Sequence, residues 1–119
     1  MDSQEVKERT KGFALRIMRL VGALPRTTVG RAIGNQLIRC ATSIGANYRA
    51  ACRGRSKAEF TAKLGTVAEE ADETCFWLEL IMDGKLLPRK QVEPLYREAD
   101  ELTAMFTTGV RTAQARRKA

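Results

Sequence analysis

The chain has 119 residues, of which 44% are apolar and 29% charged, with a net charge of +7 and no histidine. This composition is typical of one globular domain and excludes a disordered chain. The absence of histidine excludes histidine-based hydrolase triads and the Glu-x-x-His pairs of di-iron bundles.

A first helix is predicted over residues 3–24, with Asp2 or Ser3 as its cap and Pro25 as its stop. A second follows over residues 28–51, capped by Thr27 or Thr28. Each has an apolar stripe at helical spacing. The stripes are Val6, Phe13, Ile17, Leu20 and Leu24 in the first helix, and Val29, Ile33, Leu37, Cys40, Ile44, Tyr48 and Ala51 in the second.

The second helix also contains Gly30, Gly34 and Gly45. Each glycine weakens a helix by up to about 1 kcal/mol relative to alanine. We expect this cost to be offset by a close approach of a neighbouring helix, since glycine has no side chain to hold it away.

A third helix is predicted over residues 56–83. Ser56 and Glu59 form a capping box, in which the serine accepts from the third helical N–H and the glutamate reaches back to the cap N–H. The apolar face is expected to contain Phe60, Leu64, Val67, Ala71, Thr74 or Cys75, Leu78 and Met82. Gly84 is placed to end the helix in the left-handed conformation.

A fourth helix is predicted over residues 88–113, with Pro88 in its first turn. Pro94 lies within the first two turns, which leaves a start at Gln91 or Glu93 open. A basic tail, residues 114–119, is expected to be frayed. The apolar stripe is Val92, Leu95, Tyr96, Ala99, Leu102, Phe106 and Val110.

Four amphipathic helices with short connections predict an all-α fold, a single domain over residues 1–119 built as an antiparallel up-down-up-down four-helix bundle. The end of the third helix is apolar nearly all round. A subunit interface through Phe76, Trp77 and Leu80 would explain this, and the alternative is burial of that end deep within its own bundle. We therefore expect a homo-oligomer.

The charges are divided unevenly along the chain. Between Glu8 and Glu59 there is no acidic residue, but there are eleven lysines or arginines. Such a surface favours a polyanion or an acidic protein partner. The predicted nucleic-acid-binding ridge runs along the solvent side of the second helix into the following turn and consists of Arg31, Arg39, Arg49, Arg53, Arg55 and Lys57.

Three segments of the middle of the chain have a familiar pattern: RCATSIGANYRAA at 39–51, RSKAEF at 55–60 and ETCFWLEL at 73–80. Together with KL at 63–64 and AEEA at 68–71, they resemble the small four-helix-bundle proteins encoded in intervening sequences of bacterial large-subunit ribosomal RNA genes. That family includes the accessory variability proteins of diversity-generating retroelements. The resemblance covers essentially the whole chain, and its middle third is the specific part.

The resemblance implies a homopentamer, barrel-like with a central channel, and a basic surface able to bind nucleic acid. In the retroelement branch it also implies a reverse transcriptase as partner. It carries over no catalytic residue. The chain departs from the family at Ala51-Cys52, where members often have an acidic residue and a glycine, and by lacking an early tryptophan in the first helix.

Three other features of the sequence have a functional and a structural interpretation. A helix-turn-helix reading of Arg53-Gly54-Arg55 is disfavoured because the following helix is rich in carboxylates that would face phosphates. Ser43 and Asn47 form either a polar pocket or, as favoured here, buried hydrogen bonds to a neighbouring helix. The three cysteines, Cys40, Cys52 and Cys75, form no CxxC pair, so reduced thiols and no metal or cofactor are expected.

The sequence thus predicts a non-enzymatic oligomer that binds RNA or DNA through phosphates as a nucleic-acid-binding or ribonucleoprotein accessory protein. The alternative is a structural or scaffold oligomer that binds a protein partner and uses its arginines in ion pairs. No stretch reaches the roughly 18 apolar residues of a membrane span. The N-terminus lacks the plan of a signal peptide. A cytoplasmic protein without a membrane partner is therefore expected.

Overall fold

The chain folds into four α-helices, which are α1 (Ser3–Gly22), α2 (Thr28–Cys52), α3 (Lys57–Asp83) and α4 (Arg89–Lys118). The structure is a computed structural model and describes residues 1–118. Within these residues there is no strand, which confirms the all-α prediction.

The helices pack as a bundle in chain order. α1 contacts α2, α2 contacts α3 and α3 contacts α4, while α1 and α4 touch at fewer points. Within residues 1–118, α1 and α3 lie diagonally, as do α2 and α4, since no Cα atom of one lies within 8 Å of a Cα atom of the other. Across the α2–α4 diagonal the rings of Tyr48 and Phe106 meet in the core, with their centroids 5.7 Å apart. α1 and α3 therefore occupy opposite corners of a bundle that measures 50 × 23 × 20 Å.

One hydrophobic core runs along the bundle between the four helices. All five predicted core residues of α1 are buried, as are most of those predicted in α2, α3 and α4. Val29 is a wrong prediction, because 55% of it is exposed. The buried face at the start of α2 is centred on Gly30, Gly34 and Leu37, which puts Val29 at its edge.

Side-chain caps begin three of the helices. The Asp2 carboxylate accepts from the Glu5 N–H at 2.9 Å, and the Thr27 hydroxyl accepts from the Gly30 N–H at 3.0 Å. Ser56 Oγ accepts from the Glu59 N–H at 3.0 Å, as the capping box predicts. Glu59, however, reaches one residue further back than expected and accepts from the Arg55 N–H at 3.3 Å.

The end of α3 corrects the prediction for Gly84. Gly84 has φ −80°, and the left-handed residue is Lys85 with φ 56°. The Leu86 N–H donates to the Ile81 carbonyl at 3.0 Å and the Lys85 N–H to the Met82 carbonyl at 3.1 Å, which is the Schellman pattern with Lys85 after the cap. Gly84 is still required, because a Cβ there would lie 2.8 Å from the Leu80 carbonyl oxygen.

Two helices differ in length from their predicted bounds. α1 ends at Gly22, and the N–H groups of Ala23 and Leu24 continue as a tighter turn that keeps Leu24 buried. α4 begins at Arg89 with Pro94 inside it, and it continues to Lys118 instead of ending at residue 113. The last residue of the predicted tail at 114–119 lies outside the described residues.

The glycines of α2 confirm the expected close approach of a neighbouring helix. A Cβ at Gly34 would lie 3.2 Å from Val21 Cγ1, and one at Gly45 would lie 3.1 Å from Thr10 Oγ1. Both neighbours belong to α1. A Cβ at Gly30 would lie only 2.0 Å from the Pro25 carbonyl oxygen, so this glycine lets the α1–α2 connection fold back onto α2.

Glycine substitutions in two helices should therefore have opposite effects. We expect Gly30→Ala to lower the free energy of unfolding by about 1–3 kcal/mol, because the Pro25 backbone must move. The matched control is Gly65→Ala in α3, where a Cβ meets nothing within 4 Å. It should raise stability by up to about 1 kcal/mol. Denaturant unfolding of both variants measures this, and a stabilised Gly30→Ala would contradict the packing described.

Candidate functional site

The six cations of the predicted ridge are all exposed, but the structure does not bring them into one row. Arg31 and Arg49 lie on the same side of α2, about 27 Å apart along its axis. Arg53, Arg55 and Lys57 follow at the α2–α3 connection. Arg39 points about 80° away from the Arg31–Arg49 line, towards α3.

Arg39 is held by carboxylates of α3 within the same chain. Its guanidinium pairs with Glu73 and lies 3.6 Å from Glu70 Oε2, and it also donates to the Gln36 side chain. The structure thus joins Arg39 of α2 to two carboxylates of α3. Arg39 therefore has a structural role in tying α2 to α3.

Glu70 explains why Arg39 is needed there. Its Oε2 atom is buried and accepts no hydrogen bond. Burial raises the pKa of the Glu70 carboxyl above its ordinary value, and the Arg39 charge opposes that rise. Without Arg39 the chain would contain a partly desolvated carboxylate with no compensating charge.

The structure reveals two cations that the sequence analysis missed. Lys7 and Lys11 of α1 lie beside Arg49 of α2 and its C-cap residue Arg53, around a surface depression that Gln4 and Glu8 also line. We call these four residues, Lys7, Lys11, Arg49 and Arg53, the groove cluster. The signal in the sequence was the i, i+4 spacing of both pairs, but only the packing of α1 on α2 shows that they face each other.

The groove cluster continues into a shallow groove between α1 and α2 that has a floor of small side chains. The floor consists of Thr10, Ala14, Thr42, Gly45 and Ala46. Such a floor lets a ligand backbone approach the helices closely, while Lys7, Lys11 and Arg49 stand at its rim and Arg53 lines the adjoining depression. Neither set of lining residues includes an aromatic ring.

The cations of the groove cluster have no carboxylate partner among residues 1–118. The ion pairs formed there use Arg9, Arg39, Arg89 and Arg97. The one carboxylate lining the depression, Glu8, accepts instead from Gln4 Nε2 at 3.2 Å. The positive charge of this surface is thus available to an anionic ligand.

The polar residues expected to bond across helices do not do so. Ser43 Oγ donates to the Arg39 carbonyl at 2.7 Å, and Asn47 Nδ2 donates to the Ser43 carbonyl at 2.9 Å. Both acceptors belong to α2 itself, so the expectation of bonds to a neighbouring helix is wrong. Short polar side chains within a helix can satisfy themselves on the preceding turn, without a partner helix.

The predicted interface residues lie at the surface of α3. Phe76 is 50% exposed, and its ring stands edge-on to Trp77 at a centroid distance of 5.1 Å. Trp77 and Leu80 are partly buried. The Trp77 indole N–H donates to Glu73 Oε2 at 3.2 Å, so the polar end of this side chain is already satisfied within the chain.

The buried cysteines are not poised for chemistry. Cys40 Sγ accepts from the Thr74 hydroxyl at 3.2 Å, and burial raises the pKa of its thiol. Burial likewise raises the pKa of Cys75 to about 11. Reactive cysteines require the opposite shift, since the thiolate is the nucleophile.

A second ion pair joins α1 to α4. Arg9 holds Glu98 with two 2.8 Å bonds and also donates to Glu101. These hydrogen bonds lower the pKa of Glu98 below its ordinary value. Glu98 therefore stabilises the fold above the ordinary carboxyl pKa, and this contribution is lost as the pH falls through the lowered value.

Glu98→Gln should show this pH dependence directly. We expect the variant to lose about 1 kcal/mol of stability at neutral pH. The gap to the unmodified chain should close as the pH falls below the ordinary carboxyl pKa of 4.5. The control, Glu93→Gln, removes an exposed pair with Arg97 and should cost only a few tenths of a kcal/mol. Urea unfolding from pH 7 to pH 3 tests both, and a gap that widens in acid would contradict the assignment.

Comparison with known proteins adds a family context. The family model described as 23S rRNA-intervening sequence protein matches residues 2–108. Among solved structures, a protein of unknown function from the S23 ribosomal protein family of Bacteroides thetaiotaomicron VPI-5482 superposes with a TM-score of 0.84 and 32% identity. The match covers 93% of this chain and 99% of the other. No curated protein matches the sequence. Of the helices described, none has both the length and the apolar composition needed to cross a membrane.

Proposed function

Because the chain belongs to the family of 23S rRNA-intervening sequence proteins, we propose that it is a non-enzymatic accessory protein that binds nucleic acid through phosphates. The family and the solved relative are described without an activity, so the proposal rests on the surface of this chain. The observation that carries it is the groove cluster, four cations of α1 and the C-terminal end of α2 that line a depression and the small-residue groove that continues it.

The groove cluster is arranged at a cost to the fold. Lys7 and Lys11 are like charges four residues apart on α1, and Arg49 and Arg53 are the same on α2 and its cap. Like charges at this spacing destabilise a helix by about 0.2–0.5 kcal/mol a pair. The two pairs also face each other across the groove. An anionic ligand that neutralises them would reverse this cost.

The chemistry of the groove favours phosphates over bases. Arginine forks onto phosphate oxygens, whereas base recognition in a single strand uses aromatic stacking, for which the lining offers no ring. Binding should therefore show little sequence preference and a steep dependence on salt. Arg31, Arg55 and Lys57 would extend the phosphate contacts, and Arg39 would contribute least because α3 already holds it.

The proposal includes an up-down-up-down order of the helices, which the short connections support. The connections at 23–27, 53–56 and 84–88 hold four or five residues, and five residues span at most about 18 Å. The shortest helix, α1, has 20 residues and is about 30 Å long. A connection cannot return the chain along such a helix, which supports the up-down-up-down order. The exposed Phe76, with Trp77 and Leu80, supports self-association of the chain. We favour a pentamer as the assembly and the cytoplasm as its location.

A second candidate function has one observation in its favour. Arg39 pairs with Glu70 and Glu73 inside the chain, as a scaffold protein that uses its arginines in ion pairs would require. In that case a protein partner, and not nucleic acid, would bind the assembly. The free cations of the groove cluster make this the weaker proposal.

Binding to labelled structured RNA, single-stranded DNA and duplex DNA across a salt series tests the proposed function. The groove variant changes Lys7, Lys11, Arg49 and Arg53 to Gln and lowers the net charge from +7 to +3. We expect it to lose most of its affinity, with a salt slope lower by up to about 4 units for duplex DNA. Circular dichroism should show unchanged helicity.

The matched control removes the same charge elsewhere. Lys85, Lys90, Arg89 and Arg97 are exposed cations near the α3–α4 connection, and their change to Gln also gives +3. This variant should retain most of the affinity. Equal losses in the two variants would mean that only net charge matters. No binding by the unmodified chain at low salt would reject nucleic acid and favour the scaffold function.

A further inference from the structure

Two apolar patches on different helices are exposed to solvent. On α1, Leu15 is 44% and Met18 is 49% exposed, and we call these two residues the α1 patch. On α3, Phe76 is 50% exposed and lies beside Trp77 and Leu80, and we call these three residues the α3 patch. Large apolar side chains exposed in pairs mark interaction surfaces more often than single ones do.

The α1 patch has a basic rim. Leu15 projects from the side of α1 opposite the buried Phe13 and Ile17. Arg19 lies one turn after Leu15, and Lys11, which also belongs to the groove cluster, lies one turn before it; both are exposed. Neither is used in an ion pair within the part of the chain that the structure describes.

The α3 patch has an acidic rim. Asp72 and Glu79 lie about one turn before and after Phe76, and Glu69 lies two turns before it, all exposed. None of the three is in an ion pair among residues 1–118. The two patches therefore combine similar apolar centres with rims of opposite charge.

We infer that the α1 patch of one copy of this chain binds the α3 patch of the next copy, in a head-to-tail interface. The inference deepens the self-association in the proposed function and rests on it. A symmetric contact of two α3 patches would place acidic rims against each other, which costs free energy, as would two basic rims. Pairing unlike patches joins apolar to apolar and basic to acidic.

The positions of the patches suit an assembly that closes into a ring. α1 and α3 lie at opposite corners of the bundle, so one copy can bind two neighbours at once. Both patches lean towards α2. Met18 is one turn from Val21, which lies against Gly34 of α2, and Trp77 bonds to Glu73, the partner of Arg39 of α2. Each subunit would therefore be rotated in the same direction relative to the one before it. Head-to-tail contacts of this kind form a closed ring when the successive rotations add up to a full turn.

Two single substitutions separate this arrangement from a symmetric one. Met18→Asp and Phe76→Asp both change exposed side chains, so each variant should fold. We expect each to reduce the assembly to monomers of 13.3 kDa, measured by light scattering. Each variant keeps one intact patch. When the two variants are mixed, the intact α3 patch of Met18→Asp can bind the intact α1 patch of Phe76→Asp. The mixture should therefore give a dimer of about 27 kDa, twice the chain mass, and nothing larger.

A substitution away from both patches serves as the control. Ala62→Asp adds the same charge to an exposed position of α3 about 21 Å from Phe76 and should leave the mass unchanged. If Met18→Asp assembles like the unmodified chain, the α1 patch is not in the interface and the inference is wrong.

Cross-linking covers the case in which one interface alone is weak. In a Cys52→Ser background, where Cys40 and Cys75 are buried, Leu15→Cys and Leu80→Cys are combined in one chain. A short bismaleimide should link these chains into a ladder of multiples, while either single cysteine gives none. Dimers from Leu80→Cys alone, or no ladder and no mixed dimer, would overturn the inference. A monomeric unmodified chain would reject self-association itself and leave the nucleic-acid result untouched.

Discussion

The close packing of α1 against α2 is the contact on which the candidate site depends. Gly34 and Gly45 present no side chain to α1, so Val21 and Thr10 approach the backbone of α2. At this distance the long basic side chains of α1 and of the end of α2 are brought close together. Lys7 and Lys11 come to lie beside Arg49 and Arg53, and the small residues between them become the floor of a groove. Larger residues at these positions would separate the helices and disperse the charge.

The arginines of this chain divide into those that hold the bundle together and those that do not. Arg9 ties α1 to α4 through Glu98 and Glu101, and Arg39 ties α2 to α3 through Glu70 and Glu73. Each of these pairs crosses a seam between helices, and burial strengthens the interaction most for the two least exposed carboxylates, Glu98 and Glu70. The groove cluster lies on a third of the four seams, between α1 and α2, where no carboxylate of the described chain pairs with it. The same residue type therefore stabilises the fold at two seams and is free to bind a ligand at the third.

The outward faces of α1 and α3 add a second level of organisation. A helix in a four-helix bundle normally turns a polar face to water, yet both of these present apolar side chains within charged rims. The unequal division of charge along the sequence gives these rims opposite signs. If both proposals hold, the uneven charge would serve two purposes: it would attract a polyanion to the groove, and it would distinguish the two sides of a subunit contact.

Local pattern was enough to predict much of this protein. Helical periodicity placed the four helices and most of the core, because the spacing of apolar residues is a property of each segment taken alone. The caps at Asp2, Thr27 and Ser56 were also predictable, since each bond spans three residues. The wrong predictions concern local structures that depend on packing against residues elsewhere in the chain. Lys85 takes the left-handed position after α3 in place of Gly84, a register that places Leu86 against the core.

The candidate site needed the tertiary structure. The sequence determined that the chain is an all-α bundle, that its first half is basic and that the end of α3 is apolar nearly all round. It could not show that Arg39 meets Glu73 or that Lys7 and Lys11 lie beside Arg49 and Arg53. Nor could it show that the exposed patches at Leu15 and Met18 and at Phe76 have rims of opposite charge. Those facts depend on how each helix is rotated against its neighbours. That rotation is decided by the packing of all four helices together, in which single glycines and buried side chains have more effect than the pattern of any one helix.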